Sequence, residues 1–567
     1  MKFVSGKAVA PGIAIGRLHL FRKSRLSAVR VHVKDSAAEI RRAEAAFDQA
    51  LSELSQICEK SRETLGPDCA GIFEAHRQLL SDAGYLEAIR GIILSEHVSA
   101  AYAAELAGAH FSQMLEQTDD AYLRERAADI RDISERLVRI LAEQEEMKIL
   151  PEGADEEALS SREADGTLSA NQSDAEGIIL AAASLSPSET VQLDRTRIRA
   201  FITEQGSENS HTAILARIMG IPAVTGISLL PLWNAKYAEG MTVIVDGGCG
   251  AVIFAPDAET LTAYRERQKR EQEKKEALGK LRGKPAQTRS GKRIRLYANA
   301  GTLEDVKAAF ENDAEGIGLL RTEFLFLERR TCPTEEEQFF VYRSAVQAAG
   351  ERPLIIRTLD LGADKRPSYL PFAHEENPAL GLRGIRLSLS EQTLFRAQIR
   401  ALLRASAYGR LSVLYPMVSD VSELLEAKRI VEEEKNALSE AGIPFDADME
   451  QGVMVETPAA ALSAERLIKE AAFFSIGTND LTQYTLAVDR MGGAALEPFY
   501  APRHEAVLKL IRMTAEAARC AGKRTEICGE LALDRSLSSY FLELGIDALS
   551  VAPPEILPLR EHIRGID

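Results

Sequence analysis

The chain has 567 residues, 45% of them hydrophobic, enough for about three packed domains. Its formal net charge of −16 argues against broad nucleic-acid binding, so any phosphate ligand must be held by local arginine clusters against the overall field. The six cysteines are scattered without CxxC or metal-ligand spacing, the amino terminus lacks an apolar leader core, and no stretch reaches membrane-spanning length. These traits predict a reduced, cytoplasmic protein without membrane insertion.

Residues 1–22 alternate small and apolar residues around Pro11-Gly12 and Gly16, and read as one or two short strands joined by a turn. At Ser36 the character changes. Ser36 with Glu39 makes a capping-box pattern, and Ala-, Leu- and charge-rich text runs to Leu65. Further runs over 70–81, 84–95, 98–117 and 119–148 predict an inserted bundle of roughly four helices. Between Ser36 and Glu145 there are 21 Asp and Glu against 11 Lys and Arg, which is most of the chain's negative excess. Two readings stand: solvated helix faces, or a docking surface for a small basic partner. Residues 150–175 are acidic and Ser/Gly-rich, and read as a loop.

Strand-like runs return at 177–183, 199–203, 222–226, 242–246 and 251–255. Among them lies Gly206-Ser-Glu-Asn-Ser-His-Thr-Ala-Ile-Leu-Ala-Arg217. Its small polar residues, Ser207, Asn209 and Ser210, precede Ile214, Leu215, Ile218 and Met219, so a helix is predicted to start there. His211 then falls in the first turn, where unpaired backbone N–H groups and the positive end of the helix favour an anion. A neutral imidazole, with an unperturbed pKa of about 6.5, is also a nucleophile, and one so placed can accept a phosphoryl group. The plainer reading is a capped surface histidine. Residues 1–22 with 150–256 read as one α/β domain, with 23–149 inserted into it. The charged helical stretch 257–284 reads as a linker between mobile domains.

From 285 to 567, eight apolar, β-branched runs alternate with helical runs: 294–298, 316–320, 353–356, 411–415, 452–455, 473–476, 525–528 and 548–551. Eight strands with intervening helices predict a (β/α)8 barrel, with a doubly wound sheet as the alternative. In such a barrel the chemistry sits just past the strands. Those positions carry Arg321, Arg357, Glu456, Asn479, Asp480 and Cys528, with Arg383 and Arg490 on longer loops. Taken singly, each is a surface ion pair, a cap or a small core residue. Gathered on one rim, the guanidiniums suit phosphate and carboxylate, two carboxylates suit Mg2+, and a thiol can deliver a proton to carbon.

Ser-His-Thr-Ala-Ile-Leu-Ala-Arg followed by Gly-Ile-Pro-Ala-Val resembles the phosphohistidine motif of the phosphoenolpyruvate-utilising enzymes. Four strings of the barrel half resemble the enzyme I family of the bacterial sugar phosphotransferase system, the phosphoenolpyruvate–protein phosphotransferases. They are Gly-Leu-Leu-Arg-Thr-Glu-Phe-Leu-Phe at 318–326, Glu-Glu-Asn-Pro-Ala-Leu-Gly-Leu-Arg-Gly-Ile-Arg at 375–386, Val-Met-Val-Glu-Thr-Pro-Ala-Ala at 453–460, and the run from Phe473 to Arg490. Ile-Phe-Glu-Ala-His at 72–76 and Leu-Arg-Glu-Arg-Ala-Ala-Asp-Ile-Arg-Asp at 123–132 resemble that family's helical domain, which docks the phosphocarrier HPr.

The resemblance implies that His211 is phosphorylated and that Cys528 is the general acid at the enolpyruvate carbon. It implies that Arg321, Arg357, Arg383 and Arg490 hold phosphoenolpyruvate, that Glu456 and Asp480 ligate Mg2+, and that Asn479 and Asp480 lie at the phosphate. It also implies release of pyruvate, HPr as partner and a homodimer through the barrel. One departure stands out: many relatives read Gly-Gly-Arg-Thr-Ser-His, where this chain has Gly206-Ser-Glu-Asn-Ser-His211, putting Glu208 beside the acceptor. That leaves a paralogue with a dedicated HPr-like or regulatory partner as an alternative, and a non-catalytic binder of a basic partner as another. A dikinase or synthase is disfavoured, because the chain has no room and no Gly-rich loop for a nucleotide domain.

Overall fold

The structure, a computed structural model, describes residues 1–21, 28–65, 67–81, 83–117, 121–149, 177–183, 185, 197–204, 213, 216, 220–228, 239–327, 329, 331–362, 367, 369–370, 375–490, 492–493 and 495–567. The predicted loop at 150–175 and the stretch carrying His211 lie outside these residues, apart from Ala213 and Ala216. The chain divides into two compact units, Met1–Gln272 and Glu273–Asp567.

The first unit opens with three strands, β1 (Lys2–Ser5), β2 (Lys7–Ala10) and β3 (Ile13–Phe21), where one or two were expected. Gly6 separates the first two. A Cβ there would lie 2.4 Å from the Thr225 carbonyl oxygen, so only glycine permits the crossing. Five helices follow: α1 (Ser36–Leu65), α2 (Pro67–Leu80), α3 (Ala83–Glu96), α4 (Ala100–Glu116) and α5 (Ala121–Ile149). The count of roughly four is corrected to five: each of the five helical runs read from the sequence forms its own helix, with Pro67 at the head of the second. Their core is alanine-rich, with Ala43, Ala46, Ala50, Ala103, Ala104 and Ala107 letting the helices approach closely around Phe47, Phe73 and Tyr85.

The chain then adds β4 (Ile178–Ala182), β5 (Ile198–Thr203), β6 (Ala223–Thr225), β7 (Thr242–Asp246) and β8 (Ala251–Phe254). The sheet order is β1-β8-β7-β3-β4-β5-β6-β2. Its two edge strands, β1 and β2, are consecutive in the chain and joined through Gly6 alone. Val243, Val245, Ile179 and Ile202 fill one face. On the other face Leu180, Ala182 and Phe201 pack against Ala213 and Ala216, two buried helical residues three apart. A charged helix, α6 (Ala258–Gly279), follows and buries none of its residues. It carries the i,i+4 ion pairs Arg267–Glu271 and Arg270–Glu266, and Arg267 also reaches the buried Asp246 at 2.6 Å.

The second unit is a closed, all-parallel barrel of eight strands: β9 (Arg295–Ala300), β10 (Ile317–Leu320), β11 (Leu354–Arg357), β12 (Leu411–Tyr415), β13 (Glu450–Val455), β14 (Phe473–Ile476), β15 (Arg524–Ile527) and β16 (Ala548–Val551). The predicted (β/α)8 barrel is therefore the fold, and the doubly wound alternative is excluded. Alternate strand residues point outward to the helices, as Ile317, Ile356, Val413, Val455 and Ile476 do. The inward set, Leu319, Ile355, Leu414, Met454, Phe473 and Cys528, plugs the barrel. Among the described residues no helix is long and apolar enough to cross a membrane.

Candidate active site

The carboxyl-terminal ends of the barrel strands bring arginines and acids together. Arg357, the last residue of β11, is buried, and its guanidinium donates to Glu323 at 2.7 Å and pairs with Asp360 at 2.9 Å. Arg383 comes in on the loop after Pro378–Leu380 and is buried as well. Its Nε and Nη2 donate to Asp360 at 3.0 and 3.1 Å. Its Nη1 and Nη2 donate to Asp480 at 3.0 and 3.2 Å, and Nη1 also reaches the Tyr484 hydroxyl at 3.1 Å. Asp480 lies in the first turn of the helix Thr478–Leu486, where a carboxylate is favoured by the helix dipole. That helix ends on Ala487 in the left-handed conformation, and just beyond it Arg490 comes to 3.9 Å from Asp480.

Glu456 follows β13 and is buried under this network, accepting from the Met417 N–H at 2.6 Å. Met417 itself has φ of +59°, a strained setting that costs about 1–2 kcal/mol for a side-chain-bearing residue. A Cβ on Gly477 would come within 2.8 Å of a Glu456 oxygen, so glycine is what leaves the carboxylate its room. Burial, then the nearby Asp480 and Asp360, push the Glu456 carboxyl up to about 8, so it carries a proton at neutral pH. Burial pulls Arg357 and Arg383 down, but Asp360 and its fellow carboxylates more than offset this and both stay charged.

Four carboxyls, Glu323, Asp360, Glu456 and Asp480, share the rim with Arg357, Arg383 and Arg490, and among the described residues Glu456 pairs with none of these guanidiniums. A divalent cation, which takes one or two carboxylates and completes its shell from phosphate and water, would let Glu456 give up its proton, and Glu456 with Asp480 are the pair that could hold it. Among the described residues no three His, Cys, Asp or Glu side chains form a cage for a metal on their own.

Cys528 follows β15 and is buried, its thiol directed at the Ile476 carbonyl at 3.6 Å. Burial pushes the thiol up to about 12, so it remains protonated. It shares the inward cluster with Met454, whose sulfur accepts from Arg357 at 3.7 Å, so it adjoins the arginine–carboxylate network. Arg321 follows β10 with an exposed side chain that meets no carboxylate among the described residues. Asn479 turns aside: its amide donates to Glu530 at 2.8 Å and its oxygen accepts from the Glu530 N–H at 2.9 Å.

The structure thus gathers Arg357, Arg383, Arg490, Glu456, Asp480 and Cys528. Glu323, Asp360 and Tyr484 join them without having been singled out in the sequence. Glu323 and Asp360 sit two and three residues past Arg321 and Arg357, inside the motifs that drew attention to those arginines. The first unit makes a second polar site inside the helical bundle. His76 on α2 is fully buried, 3.0 Å from Asp129 and 3.5 Å from Asp132 on α5, and Arg126 donates to Asp129 at 3.0 Å. The two sequence motifs of the helical block, 72–76 and 123–132, therefore meet at one histidine.

Comparison with known proteins covers the chain in three parts. The family model described as the PEP-binding domain of PEP-utilising enzymes matches residues 275–567, the one described as their mobile domain matches 174–250, and the one described as their N-terminal part matches 5–126. The phosphoenolpyruvate-protein phosphotransferase of Priestia megaterium is 40% identical over 99% of this chain and 94% of its own length. The proteins of the same name from Geobacillus stearothermophilus and Bacillus subtilis (strain 168) are 41% and 40% identical, over 93% and 94% of their lengths. A solution structure described as the Enzyme I (nEIt) protein is 30% identical, covering 47% of this chain and 99% of that one, with a TM-score of 0.36. Full-length likeness at this level, carried by both halves of the sequence, makes the chain a member of the phosphoenolpyruvate–protein phosphotransferase family of PEP-utilising enzymes.

Proposed function

We propose that this chain moves the phosphoryl group of phosphoenolpyruvate to a ring nitrogen of its own His211 and then to a histidine of the phosphocarrier HPr, releasing pyruvate in the first step of phosphotransferase-system sugar uptake. The observation that carries the reading is the shared-carboxylate arrangement at the barrel mouth. Arg357 and Arg383 are locked in place by Asp360, Glu323 and Asp480, while Arg321 stands exposed beside them. Preformed guanidiniums cost no reorganisation when a phosphorylated carboxylate arrives. In the proposed roles Arg321, Arg357, Arg383 and Arg490 hold phosphoenolpyruvate, with Asn479 and Asp480 at the phosphate. Mg2+, held by Glu456 and Asp480, supplies charge neutralisation on the transferring group when bound.

The imidazole nitrogen attacks phosphorus, the bridging P–O bond breaks, and its electron pair leaves as the enolate oxygen. The Cys528 thiol then gives its proton to C3, and the enolate becomes the ketone of pyruvate. Because one imidazole must meet both phosphoenolpyruvate and HPr, the domain carrying it, 1–22 with 150–256, moves about the 257–284 linker between the two events. The acidic helical domain, 23–149, offers HPr its surface. A homodimer through the barrel, 285–567, and a cytoplasmic location complete the proposal. Glu208 beside the acceptor favours, as a second reading, a paralogue serving its own HPr-like partner.

The test is incubation with phosphoenolpyruvate labelled in its phosphoryl group, with Mg2+. His211→Ala abolishes the acid-labile label, and Cys528→Ala slows pyruvate formation while phosphoenolpyruvate still binds. Undiminished labelling of His211→Ala rejects the reading.

A further inference from the structure

Below the thiol lies an acid that the proposed mechanism leaves unused. Glu526 is on β15 two residues before Cys528, so both side chains point into the barrel. It is 1% exposed, and neither carboxyl oxygen has a hydrogen-bond partner. Its register partner on β14 is Ser475, fully buried, whose hydroxyl is also without one. The parallel register sets that hydroxyl beside the Glu526 carboxyl, one inward layer from Cys528, and it eases the ionisation of both groups without a full hydrogen bond to either. A buried carboxyl left this way is costly in a packed barrel, and it calls for a reason.

The charged neighbours are few. Arg524, two residues earlier on the same face, is committed to Glu450 on β13 by bonds of 2.8 and 2.6 Å, and its side chain is partly exposed. Asp547, just before β16, and Tyr297 on β9 complete the surroundings. Burial pushes the Glu526 carboxyl up to about 8 against the pull of Arg524, so it is a neutral acid at pH 7. The ionisable groups bearing on Cys528 are Glu526, Glu456 and Arg357, and Glu456 is assigned to the cation.

We propose that Glu526 is an internal proton store that, through the Ser475 hydroxyl, restores the Cys528 thiol after it has protonated the enolpyruvate carbon. This rests on the reading of Cys528 as the acid. When C3 takes the proton, sulfur keeps the S–H electron pair and becomes a thiolate in a site that disfavours it. The Ser475 O–H proton passes to sulfur as the Glu526 O–H proton passes to the serine oxygen. Glu526 is left as a carboxylate and regains a proton from solvent past Arg524, whose partly exposed side chain leads out at the start of β15. Glu526 and Ser475 are positioning residues: they touch the thiol side of the transfer and not the substrate.

The experiment incubates the full-length protein with phosphoenolpyruvate, carbon-labelled pyruvate and Mg2+ in D2O. Two exchanges are followed together: labelled carbon into phosphoenolpyruvate, and deuterium into the C3 positions of both compounds. Carbon exchange needs only that the thiolate take a C3 proton from the incoming labelled pyruvate. Deuterium uptake needs that proton to be replaced from solvent. The ratio of deuterium to carbon exchange therefore reads the relay and cancels losses from folding or substrate binding. Glu526→Gln and Ser475→Ala lower the ratio about tenfold or more, and Glu526→Asp restores most of it. In the wild type the ratio falls as pH climbs through the range where Glu526 ionises, and Glu526→Gln lacks that limb. An unchanged ratio and pH limb in Glu526→Gln overturns the proposal. If Cys528→Ala instead keeps both exchanges at wild-type rates, it is the assignment of Cys528 that has failed, and the proton store falls with it.

Discussion

Replacing Asp360 by Ala removes the carboxylate that the two deepest guanidiniums share. Three contacts go with it: Arg383 Nε at 3.0 Å, Arg383 Nη2 at 3.1 Å and Arg357 Nη1 at 2.9 Å. At about 1.5–3 kcal/mol for each hydrogen bond to a charged group, independent losses would total roughly 4–9 kcal/mol. The losses are not independent, because Arg383 keeps Asp480 and Arg357 keeps Glu323. The expected cost is therefore about 3–5 kcal/mol, the range for breaking one side of a buried ion pair. Asp360→Asn keeps the volume and one acceptor oxygen, and should cost about 1–2 kcal/mol. Both variants also remove a negative neighbour of Glu456, whose carboxyl should titrate lower than in the wild type. Urea unfolding read by hydrogen exchange in peptides covering β11 and β13 isolates the barrel from the helical unit. A cost below about 1 kcal/mol for Asp360→Ala, or equal costs for the two variants, would refute the view that this carboxylate organises the rim.

Other outcomes follow from particular groups. His76→Ala leaves the buried Asp129 and the half-buried Asp132 without their imidazole, and should destabilise the helical bundle by about 2–4 kcal/mol; slower exchange in α2 and α5 peptides than in the wild type would contradict it. Glu526 has its carboxyl raised from 4.5 to about 8, so the unfolded chain releases that proton at lower pH than the folded one. Its contribution to stability is complete below about pH 4.5 and is lost as pH rises towards 8, at up to about 1.4 kcal/mol per pH unit. Glu526→Gln should therefore gain on the wild type across that window in pH-dependent urea unfolding, and parallel curves would exclude the shift. Among the described cysteines Cys528 and Cys58 are buried whereas Cys249, Cys332 and Cys520 are exposed, so of these five iodoacetamide at mildly alkaline pH should modify the exposed three first. Early alkylation of Cys528, read by peptide mass spectrometry, would contradict its raised thiol pKa.

The barrel was legible because its strands are short runs of Ile, Val, Leu and Phe set between helical text, a pattern that burial on both faces imposes. The rim residues were legible because a barrel puts its chemistry just past its strands. The pairing was not. Asp360 binds Arg383 across 23 residues and Asp480 binds it across 97, and no local pattern encodes such separations. Glu526 was missed for a related reason: an acid alternating with apolar residues in a strand reads as a solvent-facing position, and only closure of the barrel turns that face inward. The third amino-terminal strand was hidden by Gly6, whose role depends on the approach of Thr225. His211 was read from the start signals of its helix, and it lies outside the described residues.

The central claim is that one imidazole accepts phosphorus from a substrate held at the barrel rim. Its most direct test is mass spectrometry of the intact protein after mixing with phosphoenolpyruvate and Mg2+, with the modified residue located by fragmentation under alkaline conditions. The account predicts one acid-labile phosphoryl group per chain, on His211, lost in His211→Ala and strongly reduced in Arg383→Ala. A phosphoryl group on another residue, or full labelling of His211 in Arg383→Ala, would contradict it.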